Sequence, residues 1–296
     1  MIHFILYPIS LLPLRILYRI SDFFAFLLQY IIQYRRKVVR QNINRSFHYL
    51  PKNERRKMEK EFYMNFCDNF IETIKLLSIS PEELNSHIKT DYSALEKVIE
   101  NKESCHIYLG HQFNWEWANA HIASSLKQAN IVVVYKPIKS KSFNNLVLKM
   151  RSRFGSKMVA AKNLKKELKE MEEKPHILIA VADQNPSLPN KSFWTAFMAQ
   201  RTAFISGTEL YTASLKRPVF YANISKVKRG YYKFEVTPMF NFSQDYKMGQ
   251  ITTSFAYNLE KAIKASPTNY LWSHKRWKHQ YNDSYKNRWF PKQVVL

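Results

Sequence analysis

Beyond about residue 104, short runs of β-forming residues at 106–109, 131–135 and 177–182 alternate with helical stretches near 115–127, 142–153 and 163–173. Runs of four to six apolar residues are too short to be helices. When they alternate with helices, they bury themselves as neighbouring strands of one sheet with helices on its faces. Residues 218–225 and 231–237 flank Lys226-Val227-Lys228-Arg229-Gly230, which predicts an antiparallel hairpin turning at Gly230. The expected fold class is therefore α/β with a mixed central sheet flanked by helices. Residues 38–90 read as helical throughout, with Phe62, Phe66, Phe70, Ile74 and Leu77 spaced by three or four and Pro51 and Pro81 marking helix starts. The Phe62, Phe66 and Phe70 stripe reads as core packing. Leu164, Leu168 and Met171 form one face of the helix at 163–173, with a solvated face of Lys and Glu between them.

Open α/β sheets place their chemistry just past the carboxyl ends of strands. His111 falls there, after Ile107-Tyr108-Leu109-Gly110, and Glu116 follows five residues later in the first turn of a helix. One turn is expected to bring the Glu back to the imidazole. A carboxylate on one ring nitrogen fixes the tautomer and leaves the other free to deprotonate an alcohol. Asp183 follows residues 177–182 directly and is the second polar group expected at a strand end, or else a turn residue opening the Asn-Pro loop. Arg151 and Arg153 lie between, placed to stabilise an oxyanion or bind phosphate, or else simply at the surface.

Composition narrows the chemistry. Five Gly in 296 residues leave no phosphate-cradling loop of the P-loop or dinucleotide type. Cys67 and Cys105 are the only cysteines, which supports neither a disulfide framework nor a Cys-based zinc site, and Cys105 reads as a small buried hydrophobe. A formal charge of +23 calls for an anionic partner: nucleic acid, an acidic membrane surface, a phosphorylated substrate or an acidic carrier protein. The 18 Tyr and six Trp favour an interfacial protein, although single-strand nucleic-acid binders also stack bases on aromatics.

Residues 1–34 read as a membrane-associated apolar segment ahead of one large domain, 35–296, that is helical to about 100 and α/β from about 104. The uncharged stretches 4–14 and 23–34, interrupted by Arg15, Arg19 and Asp22, each fall short of the roughly 20 residues a span needs. The expectation is a helical anchor dipping into one leaflet, with Arg35, Arg36, Lys37 and Arg40 meeting anionic lipid on the cytoplasmic side. Two ordinary core helices and a tilted single-pass helix are the alternatives.

Taken in order, these segments resemble the lipid A biosynthesis late acyltransferase (lauroyl/myristoyl acyltransferase) family. His111-Gln-Phe-Asn-Trp-Glu116 is similar to its His-x4-Asp/Glu motif with Asn114 in the Asn-Trp core, and Arg151 sits in an Arg-x-Arg-x-Gly setting. Asp183-Gln184 after a strand and the closing block from Tyr270-Leu-Trp272 to Arg276 complete the likeness, which covers nearly the whole chain. No Pro-Glu-Gly-Thr-like block follows, which disfavours a glycerol-phosphate acceptor. The resemblance implies a glycerolipid-acyltransferase-like fold and transfer of a fatty acyl chain from acyl carrier protein to a hydroxyl of a lipid A precursor at the bacterial inner membrane. His111 and Glu116 would be the catalytic pair, Arg151, Asp183, Asn114 and Arg153 the oxyanion or substrate-binding residues, and neither metal nor cofactor would be required. Exposed Lys275, Arg276 and Lys278 beside Trp272 and Trp277 would suit phosphorylated lipid, carrier protein and the membrane surface. Another envelope lipid or glycolipid acceptor is the nearest alternative. A basic aromatic nucleic-acid-binding protein is the alternative from another class, disfavoured because no nucleic-acid-binding motif is present and such a protein has no use for residues 4–34.

Overall fold

In the computed structural model, which describes residues 2–169, 175–243 and 245–291, the three anticipated strands lie side by side within a seven-stranded sheet. The first half of the chain forms α1 (Ile2–Leu11), α2 (Leu14–Phe26), α3 (Arg36–Ser46), α4 (Lys52–Lys75), α5 (Pro81–His87), β1 (Ile88–Asp91), α6 (Ser93–Glu100), β2 (Cys105–Leu109), α7 (Trp115–Ser125) and β3 (Asn130–Tyr135). There follow α8 (Lys141–Ser152), β4 (Lys157–Ala160), α9 (Leu164–Lys169), β5 (His176–Val181), β6 (Phe193–Phe197), β7 (Gln200–Phe204), α10 (Ser206–Leu215), β8 (Val219–Lys228), β9 (Tyr231–Phe240) and α11 (Gln250–Ala265). The strand order is β1-β9-β8-β2-β5-β3-β4, and the β8–β9 hairpin supplies its antiparallel pair, so the sheet is mixed as expected.

The central strands are near-continuous apolar runs because both of their faces are covered. Ile107, Leu109, Val133 and Ile179 pack under α7 and α8 on one face, while Tyr108, Ala180 and Tyr221 pack under α11 on the other. Strand β9 instead alternates, with Tyr232, Phe234 and Val236 buried and Lys233 exposed, because only one of its faces is covered. Pro51 caps α4 and Pro81 opens α5.

Three elements depart from the sequence reading. Residues 88–91 form the edge strand β1 rather than continuing a helix; only Ile88 of the four is buried, so no apolar period marks it. Strands β6 and β7 make a separate two-stranded sheet after Asp183. Phe70 is 51% exposed, whereas Phe62 and Phe66 are in the core. Residues 170–173 of the helix anticipated at 163–173, Met171 among them, lie outside the described residues, as do 292–296. Both cysteines are buried and free, and burial pushes each thiol up to about 12.

The N-terminal helices divide their faces. Leu17, Ser21 and Ala25, four apart, form a buried stripe on α2. Complete burial of Leu17 contributes about 2 kcal/mol. Polar ties reinforce the stripe: Ser21 Oγ donates to Asp68 (2.8 Å), Tyr18 Oη to Glu72 (2.7 Å), and Arg229 bridges Asp22 and Asp68. The outer face keeps Ile16, Phe23, Phe24 and Phe26 exposed, with further exposed apolar side chains at Phe4, Ile31 and Ile32. Among the described residues no helix is long and apolar enough to cross a membrane. Arg36 and Arg40 of the basic cluster both bond Glu59.

Glu72 is fully buried at the centre of this junction and also accepts from Tyr232 Oη (2.6 Å) and Asn114 Nδ2 (2.9 Å). Burial pushes its carboxyl up to about 7 despite the tyrosine hydroxyls that favour the anion. The folded protein therefore holds a proton that the unfolded chain has released. The resulting stability, on the order of 3 kcal/mol, is fully present below pH 4.5 and lost as pH rises through about 7. Melting temperatures measured from pH 5 to 8 should fall with pH in the wild type and fall less in Glu72→Gln; parallel curves would rule Glu72 out as the source.

Candidate active site

Strands β2 and β5 run parallel with Leu109 opposite Val181. His111 and Asp183 each follow two residues after that pair, so equal offsets from a shared register place them together. Asp183 Oδ1 lies 2.5 Å from His111 Nδ1, and Oδ2 accepts the His111 backbone N–H at 3.1 Å. The contact puts the imidazole proton on Nδ1 and leaves the Nε2 lone pair free of the carboxylate. Gln184 Nε2 stands 3.0 Å from that second nitrogen.

The carboxylate on the imidazole is thus Asp183, a correction to the expected pairing with Glu116. Asn114 caps α7, its Oδ1 accepting the Glu116 and Trp117 N–H groups at 3.1 Å. In that first turn the ring of Trp115 packs edge-on against His111, with centroids 5.1 Å apart. The side chain one residue further round the helix meets α8 instead. There Glu116 accepts from Arg151 Nε (2.8 Å) and Nη2 (2.5 Å), and from Trp115 Nε1 (3.0 Å). Burial alone would lower the Arg151 guanidinium, but the Glu116 charge outweighs it and raises it.

Two other anticipated residues hold structure. Asn114, completely buried, spends its amide on Glu72 and its oxygen on the cap. Arg153 Nη1 donates to the carbonyls of Leu76 (2.9 Å) and Ile79 (2.5 Å) beyond α4. The structure does not bring Arg153 to His111.

The closing block forms the wall behind the histidine. Gln112 pairs with Tyr270, Phe113 N–H donates to Asn269 O, and Leu271 N–H to His111 O. Asn42 ties the block to α3 through the Trp272 and His274 carbonyls, both at 2.8 Å. Gly110 permits the close approach of α11, since a Cβ there would stand 2.4 Å from Leu259 Cδ1. Lys275 and Lys278 are exposed as expected, but Arg276 is buried, correcting its reading as a surface group, and Trp272 beside it is buried too. Arg276 Nη1 donates to Ala203 O (2.8 Å), and its guanidinium stacks over Phe204 at 4.4 Å. Its side chain is amphipathic enough to lie on aromatic faces, and Asp183 supplies a counter-charge.

Burial by itself would raise the Asp183 carboxyl. The charge and hydrogen bonds of His111, with Arg276 behind, reverse this and hold it well below the usual carboxylate range. His274, pushed down to about 4 by burial, accepts the Asn185 N–H at 3.0 Å as a neutral ring.

A cavity of about 920 Å³ opens on this centre. His111, Glu116, Arg151 and Gln184 line its polar part, and side chains such as Ala118, Ile122, Val133 and Ile179 line its apolar part. That volume and lining suit a long apolar substrate held against one polar centre. Among the described residues no three His, Cys, Asp or Glu side chains converge as a metal-binding group. Gln184, Tyr270, His274 and Arg276 were not anticipated as parts of the site; only the ordered likeness of the Asp183-Gln184 pair and the closing block pointed towards them. Glu72, which holds Asn114 from behind, gave no signal in the sequence.

A family model described as bacterial lipid A biosynthesis acyltransferase matches residues 1–279. No curated protein matches the chain.

Proposed function

Because this chain belongs to the bacterial lipid A biosynthesis acyltransferase family, we propose that it moves a fatty acyl chain from an acyl carrier protein thioester to a hydroxyl of a lipid A precursor, with His111 as general base. The observation that carries the mechanism is the divided imidazole, Nδ1 on Asp183 and Nε2 on the cavity side. The acceptor O–H gives its proton to Nε2 as its oxygen attacks the thioester carbonyl carbon. The C=O π pair moves to oxygen, and the tetrahedral intermediate collapses with cleavage of the C–S bond. The leaving thiolate takes the proton back from Nε2. Asp183 fixes the tautomer and stabilises the imidazolium formed between these steps. Arg151 lines the cavity, and its positive charge favours the developing oxyanion. Glu116 acts by holding Arg151 in place.

The partners follow from surface chemistry. A charge of +23 attracts an acidic carrier protein and a phosphorylated glycolipid. The exposed face of α2 suits shallow insertion at the cytoplasmic side of the inner membrane. Replacing both Phe23 and Phe24 by Asp should reduce cosedimentation with anionic vesicles by about tenfold to a hundredfold, given the apolar surface removed and the charge introduced. Undiminished pelleting of the double variant would place the membrane contact elsewhere.

The decisive test of the activity is a purified reaction. Full-length protein, an acyl carrier protein thioester and a phosphorylated glycolipid bearing hydroxyacyl chains should yield a product heavier by one acyl group. Transfer only to a different envelope lipid would correct the acceptor, and no transfer to any lipid would overturn the reading.

A further inference from the structure

We propose that the Gln184 side chain has two positions in the reaction, plugging the His111 lone pair in the free enzyme and donating to the thioester oxyanion once the acceptor hydroxyl has displaced it. The inference rests on the acyl-transfer reading of this site. In the resting arrangement Gln184 Nε2 lies 3.0 Å from His111 Nε2. The amide orientation follows from the other side of the ring: with Nδ1–H donating to Asp183, Nε2 is an acceptor, so the amide must present N–H. A hydroxyl about to lose its proton has to sit about 2.6–3.2 Å from the base. The amide nitrogen already occupies that position, so it marks where the acceptor oxygen goes and must leave before that oxygen arrives.

The backbone around Gln184 restrains how far it can go. Asp183 is clamped to His111, the next residue's N–H is bound to His274, and the Pro186 carbonyl is held 2.9 Å from His279 Nε2. With the chain pinned on both sides and the half-buried side chain lining the cavity, displacement reduces to a rotation about the side-chain bonds. Such a rotation keeps the amide beside the reacting carbon, which bonds the oxygen seated on Nε2. There the N–H can follow the carbonyl oxygen as it takes up the π pair, a directional donor complementing the diffuse charge of Arg151. The proton path is unchanged, from the acceptor O–H to Nε2 and then to the departing thiolate.

The test combines kinetics with a measurement that needs no substrate. Gln184→Ala and the volume-matched, donor-free Gln184→Met should each lower kcat about a hundredfold without raising the acceptor KM, since an oxyanion donor acts only in the transition state. Diethyl pyrocarbonate, which acylates unprotonated imidazole, should modify His111 faster in Gln184→Ala than in the wild type, as read by peptide mass spectrometry. A kcat within threefold of wild type in both variants, or a raised KM with unchanged kcat, would overturn the oxyanion role. Equal rates of His111 modification would overturn the plug. If the wild-type enzyme itself transferred no acyl group, the proposed function would fail, and the modification rates would still decide whether Gln184 covers the base.

Discussion

Acyl transfer by Asp183→Asn should fall about 10²- to 10⁴-fold, and His111→Ala should fall by a similar factor. An amide in place of the carboxylate removes the anion that stabilises the imidazolium. It can also donate to Nδ1, which would move the ring proton to Nε2 and abolish the lone pair facing the cavity. Because the two residues act through one proton transfer, their losses should not add, and the double variant should be about as slow as either single. Rates from product mass spectrometry check this; losses that multiply would mean that Asp183 acts elsewhere. Stability separates the variants further. The depressed Asp183 carboxyl contributes stability that is fully present above its unfolded value of 3.8 and is lost as pH falls through its lower folded value. Asp183→Asn lacks that component and leaves buried Arg276 without its counter-charge. The acid limb of its melting profile should therefore be flatter, and its melting temperature at pH 7 lower, than in the wild type.

Arg151→Ala should cost about 2–4 kcal/mol of stability, after discounting for the partial exposure of the arginine. Glu116 has a side chain only 7% exposed, and Arg151 provides two of its hydrogen-bonding groups. Removing the cation leaves a desolvated carboxylate whose one remaining side-chain donor among the described residues is the Trp115 N–H. For a chain of this size the melting temperature should drop by roughly 5–15 °C. The double variant Glu116→Gln/Arg151→Met removes the charge pair together and should recover most of that stability. It should not recover acyl transfer if the Arg151 charge serves the reaction. An unchanged melting temperature in Arg151→Ala would mean that the pair is solvated in solution, and full activity of the double variant would exclude Arg151 from the chemistry.

Much of the architecture was legible because it is written locally. Residues 106–109, 131–135 and 177–182 read as strands since both faces of each are buried, and apolar residues in succession are the direct result. The β8–β9 hairpin was readable from its turn, and the positions of His111 and Asp183 at strand ends from where the apolar runs stop. Strand β1 was not readable, because a four-residue edge strand with one buried side chain leaves no periodic trace. Arg276 was misplaced on the surface for a related reason. Its neighbours Lys275 and Lys278 are exposed, and only a fold that wraps the block behind His111 distinguishes the two kinds of position.

The sequence by itself determined that a histidine and two candidate carboxylates stand near the ends of buried strands in a strongly basic chain with an apolar N-terminal segment. Which carboxylate meets the imidazole was decided by tertiary structure. Glu116 is five residues from His111 and Asp183 is 72 residues away, yet the parallel register that sets Leu109 against Val181 delivers Asp183 to Nδ1. Trp115 and the start of α7 turn Glu116 towards Arg151. Spacing along a helix specifies a direction only relative to that helix, whereas the pairing of two strands distant in sequence specifies a place in space.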